Sequence, residues 1–178
     1  VTGTGAGTEY QQVYVNPAPA VPPANNVYAS VEEFRGHFKD STSLLDEKLL
    51  QRALKAASRA IDEYCDRRFW QDAAVVSRTY VPSSCTRADV DDISTTTGLV
   101  VKVDSGLNGS YATTWTQGTH FDLRPHNAAA DGEPWYQVVA LDGNTFPVSG
   151  TRATLQATAR FGWARMPDQV NQACLIRA

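Results

Sequence analysis

The sequence predicts an α+β fold in which a helical frame carries an inserted small antiparallel β-sandwich or barrel. Apolar side chains recur at spacings of four and three between about Asp46 and Phe69, which is typical of an amphipathic helix. From Val75 to Trp163 the period changes to two, and glycine- and asparagine-containing turns divide the stretch into short segments. With 178 residues, of which 42% are hydrophobic and 20% charged, the chain is long enough to bury a substantial core.

Residues 1–29 form a segment of low charge that is rich in Gly, Thr, Ala and Pro, and we expect it to be an extended arm. Residues 16–23 are proline-rich and favour a polyproline conformation. The segment is either a loose tail or lies along a neighbouring subunit, and the second is favoured. The run Gly3–Thr8 resembles a phosphate-binding loop, but no strand precedes it, so it is interpreted as part of the arm.

The helical frame is predicted over residues 30–70. A short helix spans residues 30–39, with Ser30 and Glu33 as a capping box, and a break at residues 40–43 follows. The long helix presents one apolar stripe toward the core, formed by Leu50, Leu54, Ala57, Ile61 and Tyr64. Alanines at positions 53, 56, 57 and 60 keep a second surface thin enough for another helix to approach.

The long helix also carries a charged face, formed by Lys48, Arg52, Lys55 and Arg59. A solvated face is slightly favoured over a surface of ion pairs between subunits.

Residues 71–164 are predicted to form the inserted β-domain. Its candidate strands are Val75–Val81, Leu99–Val103, Tyr111–Thr116, His120–Leu123, Tyr136–Leu141 and Arg152–Phe161, with Gly98 among the breaks. The acidic run Asp89–Asp92 is interpreted as a solvated loop. The many aromatic residues of this part are expected to form its core, in preference to a platform for stacking sugars or bases.

Residues 165–178 are predicted to start a C-terminal helix, with Pro167 and Asp168 at its opening and Val170, Ala173 and Cys174 on one face. Because the helical pattern runs to the last residue, we expect the natural chain to continue beyond Ala178.

Composition and spacing exclude several classes of function. Three widely spaced cysteines, Cys65, Cys85 and Cys174, favour a reducing cytoplasm, and the first and last are expected to be buried thiols in helical patterns. The net charge of −3 gives no overall attraction to nucleic acid, and the sequence shows neither a signal peptide nor a membrane span. His120, Asp122 and His126 lack an obvious further ligand, so we predict no metal site, cofactor or catalytic residue.

Three stretches together resemble the head-to-tail connector, or head-completion adaptor, proteins of long-tailed bacteriophages (siphophages). They are the long helix ending in Tyr-Cys-x-Arg-x-Phe at residues 64–69, Phe-Gly-Trp at residues 161–163, and Pro-x-x-Val at residues 167–170 before a final helix. The resemblance covers roughly residues 28–178 and is a composite pattern without a single diagnostic motif.

The resemblance implies a non-enzymatic virion protein, assembled in the host cytoplasm, that forms a ring of usually about twelve subunits beneath the portal. Phage DNA passes through the ring without sequence-specific binding, and the next connector, a stopper or the tail docks below. The resemblance assigns portal docking to Pro167, Asp168, Val170, Gln172 and Arg177. It assigns the ring-packing helix to Leu50, Arg52, Leu54, Lys55, Arg59, Ile61 and Tyr64.

Two alternatives stay open. The first is that the chain is another phage structural subunit, such as a stopper or tail terminator, although those proteins are expected to be dominated by β structure. A more distant alternative is a carbohydrate-binding or hydrolytic β-domain, which requires several aromatic side chains to be exposed together in a groove.

Overall fold

The computed structural model describes residues 26–38 and 46–178, and it confirms the α+β class. The helices are α1 (Val31–His37), α2 (Glu47–Cys65), α3 (Ala128–Asp131) and α4 (Asp168–Arg177). The strands are β1 (Val76–Tyr80), β2 (Arg87–Val103), β3 (Thr113–Trp115), β4 (Phe121–Arg124), β5 (Trp135–Ala140) and β6 (Leu155–Phe161). The predicted break at residues 40–43, the Gly3–Thr8 run and nearly all of the predicted arm lie outside the described residues.

The strands form one antiparallel sheet in the order β1-β6-β2-β5-β4, with β3 paired to β2. The long strand β2 joins its two halves, because residues 87–93 pair with β5 and residues 93–103 pair with β6. The antiparallel insertion is therefore present, but the sheet is open and does not close into the barrel that was one of the expectations. Its core is a single cluster that includes Ile93, Val101, Leu155 and Phe161.

The acidic run Asp89–Asp92 lies in β2, so its interpretation as a loop is wrong. Ala88 and Val90 are buried and alternate with exposed Asp89 and Asp91, which is the period of a strand with one face on a core. The Asp89 carboxylate accepts a hydrogen bond from Gln137 at 2.7 Å, which shows how an acidic side chain is accommodated in this strand.

Gly98 also lies within β2, where a break was predicted. Gly98 has a φ of +79° and lies between Thr95 and Val100, where the pairing of β2 with β6 shifts register. The glycine therefore permits an irregularity in a continuous strand rather than ending it.

Helices α1, α2 and α4 and the adjoining loops form a second buried cluster, which we call the frame. The capping box is confirmed, since Glu33 N–H donates to Ser30 Oγ at 3.1 Å and Ser30 N–H donates to the Glu33 carboxylate at 2.7 Å. Helix α2 ends at Cys65, four residues earlier than predicted, because Asp66 adopts a left-handed conformation with φ +47°. Phe69 then turns back and is buried in the frame.

The frame and the sheet meet where β6 ends. Gly162 has φ +102°, and a Cβ atom there would overlap the carbonyl oxygen of Trp70. Asp92 of β2 accepts a hydrogen bond from Trp163 Nε1–H at 3.0 Å and lies 3.3 Å from Arg67 Nε. We call these contacts the joint. They hold the end of α2 against the centre of the sheet.

Candidate subunit interface

An apolar groove of about 520 Å³ lies on the surface between α2 and α4. Its lining is formed by Ala60, Ile61, Tyr64 and Cys65 of α2 and by Gln169, Val170, Ala173, Ile176 and Arg177 of α4. Tyr64 is 90% exposed and Ile176 is 75% exposed, so two large apolar side chains project into solvent at one place. Clustered exposed apolar surface of this kind is typical of protein–protein or membrane contact sites and of ligand grooves.

The two helices that form the groove are held together by small side chains. Ser58 Oγ and Cys174 Sγ are 3.4 Å apart, and Cys174 Sγ lies 3.7 Å from the carbonyl oxygen of Leu54. Burial raises the pKa of the Cys174 thiol, which therefore stays protonated and behaves as a small apolar side chain. This contact fixes the positions of α2 and α4 and so the shape of the groove.

Four of the residues assigned by resemblance line the groove: Ile61, Tyr64, Val170 and Arg177. Leu50 and Leu54, by contrast, are buried within the frame, and Val170 is also largely buried there. The expectation that Tyr64 belongs to the core of its own chain is wrong, because α4 covers only part of the stripe. Its expected role in packing between subunits stays a prediction.

The remaining portal-docking candidates are dispersed around α4. Pro167 is the N-terminal cap residue of α4, and Asp168 is exposed and lies 3.7 Å from Arg165. Gln172 is exposed but lies outside the groove lining. These three residues therefore lie outside the groove, and their role in portal docking stays a prediction.

The charged face of α2 forms part of a different cleft. Arg52 and Lys55 are exposed and line a cleft of about 730 Å³ together with Glu32, Glu47 and Lys48. Arg59 donates a hydrogen bond to the carbonyl oxygen of Asn26 at 2.5 Å and lies 3.2 Å from Asp62. Arg59 therefore fixes the start of the described chain, while the other basic residues of this face are exposed to solvent.

Arginines and carboxylates also line a cleft of about 540 Å³ beside the joint. Arg78 lies 2.6 Å from Asp72 and 2.7 Å from Asp91, and Arg67 pairs with Asp92. Burial raises the pKa of the Asp92 carboxyl, against the opposing effects of Arg67 and of the Trp163 hydrogen bond. Because these arginines already contact carboxylates, the cleft is better suited to joining frame and sheet than to holding an anion.

The residues considered for catalysis or metal binding have local roles. His126 Nδ1 lies 3.2 Å from Asp122, whereas His120 Nδ1 accepts a hydrogen bond from Thr116 N–H at 3.0 Å. Within residues 26–38 and 46–178 no group of three or more His, Cys, Asp or Glu side chains could hold a metal ion. None of the helices formed by these residues has both the length and the apolar character needed to cross a membrane.

The aromatic residues of the β part mainly build its core, as expected. Trp115, Phe121 and Phe161 are at most 8% exposed. Tyr136 is 42% exposed, and its ring lies beneath the guanidinium of Arg67 at 5.6 Å. A single exposed aromatic ring already covered by an arginine does not make a stacking platform for sugars.

Cys65 was expected to be a buried thiol, and it is exposed at the end of the groove. The helical period placed it near the core, but α2 ends at this residue, which lines the open groove between α2 and α4. The groove itself is a feature that sequence reasoning missed, although the thin alanine surface of α2 pointed toward it.

No protein family matches the chain, and no curated protein matches it. A solved structure described as the neck of an empty GTA (gene transfer agent) particle, computed with C6 symmetry, contains a chain of similar fold. The two chains share 21% sequence identity with a TM-score of 0.53, and the match covers 90% of this chain and 79% of the other. At this identity the likeness establishes a common fold, which includes both the frame and the sheet.

Proposed function

We propose that the chain is a structural subunit of the neck that joins head and tail in a long-tailed phage or phage-like particle. Within the neck, we assign it to the adaptor ring beneath the portal. The observation that carries the proposal is the fold shared with a chain of a GTA particle neck over 90% of this chain's length. The composite sequence pattern at residues 64–69, 161–163 and 167–170 supports the same assignment from independent features.

The apolar groove supports assembly of the subunit into a ring. Tyr64 and Ile176 expose apolar surface that a monomer has no reason to keep, and tyrosine is enriched among the residues that dominate binding at interfaces. A ring requires a heterologous contact, in which one surface of each subunit meets a different surface of the next. Sixfold symmetry in the related neck is compatible with rings of six or of twelve subunits, and we favour twelve.

A conduit for DNA needs no catalytic machinery. The net charge of −3 suits a channel wall, because a strongly basic lumen would hold the phosphate backbone and oppose its passage. In this proposal the frame forms the ring wall and α4 faces the portal. The stopper, the next connector or the tail binds on the other side.

The proposal is tested by removing the subunit from particle assembly. Without it we expect heads and tails to accumulate separately, and the wild-type chain supplied in trans should restore joined particles. Tails of irregular length would instead identify a tail terminator. Intact infectious particles lacking the chain would overturn the proposal altogether.

A further inference from the structure

The start of the described chain lies against one flank of α2. The carbonyl oxygen of Asn26 accepts a hydrogen bond from Arg59, and Tyr28 N–H donates to Ser58 Oγ at 2.9 Å. The Tyr28 hydroxyl donates to the Asp62 carboxylate. The described chain therefore begins, at Asn26, on the flank of α2 that carries Ser58 and Asp62.

The apolar groove lies on a different flank of α2. Each residue of an α-helix advances by about 100°, so side chains two positions apart point about 160° away from each other. Ala60 and Tyr64 follow Ser58 and Asp62 by two positions, whereas Ile61 and Cys65 follow them by three and are turned away by about 60°. One subunit thus has the start of its described chain, at Asn26, and its apolar groove on different flanks of α2, and a heterologous ring contact requires two different surfaces.

The composition of residues 1–25 matches the groove better than the nearer surface. The segment contains one charged side chain, Glu9, and an apolar cluster at Tyr10, Val13, Tyr14 and Val15. The cleft beside Asn26 includes apolar residues, but five charged side chains also line it, and an uncharged segment would have to desolvate them: Glu32, Glu47, Lys48, Arg52 and Lys55. The groove, in contrast, presents mainly aliphatic and aromatic side chains.

The length of the segment permits contact with a neighbour. The stretch from residue 15 to residue 26 spans up to about 36 Å when extended, at roughly 3.3 Å per residue. A helix with its side chains is only about 10–12 Å across. Residues near position 15 can therefore pass beyond the frame of their own chain.

Taking the ring of the proposed function as given, we propose that residues 10–15 of one subunit bind in the apolar groove between α2 and α4 of the next. Each subunit then donates a segment on one side and receives one on the other. The contact adds apolar burial at every subunit boundary without requiring the segment to fold alone.

Cys65 provides a native probe for this contact, since it is exposed and lines the groove. One full-length chain carries Val15→Cys with Cys65→Ser and Cys85→Ser, and a second carries only Cys85→Ser. Under mild oxidation of assembled rings, we expect the mixture to form a disulfide between position 15 and Cys65. In this mixture the bond can form only between two different chains, and peptide mass spectrometry identifies it.

Two controls accompany the cross-link. The first chain oxidised alone should not form this bond, because it lacks the thiol at position 65. A chain with Val15→Cys and Cys85→Ser that retains Cys65 should form a ladder of covalent oligomers. Intact rings in which position 15 links to Cys65 only within one chain, or does not link at all, would overturn this inference and leave the proposed ring standing.

Substitutions on either side of the proposed contact give a second readout, the subunit concentration at which rings assemble. Val13→Asp or Ile176→Asp should raise the subunit concentration needed for ring assembly by at least about tenfold, because each places a charge in the apolar contact. Val148→Asp is the matched control at an exposed apolar residue outside the groove, and its assembly should be unchanged. Equal assembly of all three variants would contradict the inference, and a wild-type chain that never forms rings would remove both the inference and the proposed function.

Discussion

Gly162 packs directly against the main chain of Trp70, leaving no space for a side chain between the end of β6 and the frame. We expect Gly162→Ala to lower the free energy of unfolding by about 3 kcal/mol, since a methyl group must displace the Trp70 carbonyl and also adopt a positive φ. Urea denaturation measures the loss.

Gly109→Ala is the matched control for this variant. Gly109 has a similar φ of +88°, but a Cβ there meets nothing within 4 Å. Gly109→Ala should lower the free energy of unfolding by about 1 kcal/mol, from backbone strain alone. Equal losses in the two variants would show that the contact with Trp70 is not tight.

Asp92 should make stability depend on pH in an unusual direction for a carboxylate. Because burial raises its pKa, the folded protein binds the Asp92 proton more tightly than the unfolded chain does. Its stabilising contribution is therefore complete below the ordinary carboxyl pKa and is lost as the pH rises through the raised value. Asp92→Asn keeps an acceptor for Trp163 but removes this titration.

The measurement compares urea unfolding of the wild type and Asp92→Asn between about pH 3 and pH 7. We expect the free energy of unfolding of the wild type, minus that of the variant, to fall as the pH rises. A difference that grows with pH would mean that the pairing with Arg67 outweighs burial, contrary to the structure.

The three cysteines should differ sharply in reactivity. Cys65 and Cys85 are exposed, whereas Cys174 is fully buried and its pKa is raised by burial. In the free folded subunit, N-ethylmaleimide should label the first two rapidly and Cys174 only after unfolding. Mass spectrometry counts the labels. Rapid labelling of Cys174 in the folded subunit would contradict the packing of α4 on α2.

Tyr28 ties the start of the described chain to the end of α2. Its hydroxyl donates to Asp62 and accepts a hydrogen bond from Phe69 N–H at 2.9 Å, and its side chain is only 1% exposed. Tyr28→Phe removes the hydroxyl from both partners. It should lower the free energy of unfolding, measured by thermal or urea denaturation, by about 1–2 kcal/mol. Tyr64→Phe, at a residue that is 90% exposed, should leave stability unchanged; an equal loss there would argue against the role of Tyr28.

The parts of the fold that sequence predicts well depend on residues close together in the chain. The capping box of α1 needs only Ser30 and Glu33, and the apolar stripe of α2 follows from the helical period alone. The strand character of Asp89–Asp92 was missed because acidic residues are rare in strands. The side chains that pair with them, such as Arg78 and Gln137, come from other strands.

The candidate site was predictable only in part for the same reason. The groove exists because α2 and α4 are brought together from distant parts of the chain. Periodicity placed Tyr64 on the core stripe, but whether the stripe is covered at that point depends on how α4 crosses α2. The strand order β1-β6-β2-β5-β4 is likewise set by contacts between distant segments, which local patterns do not encode.

The most direct test of the central claim is the mass of the purified subunit, measured with and without its cognate portal and accompanied by negative-stain images. We expect a ring, formed by the subunit alone or on the portal, with a mass equal to a whole multiple of the 19.4 kDa chain. The groove should then be covered, and Cys65 should lose its reactivity. A subunit that stays monomeric and does not bind the portal would contradict the account.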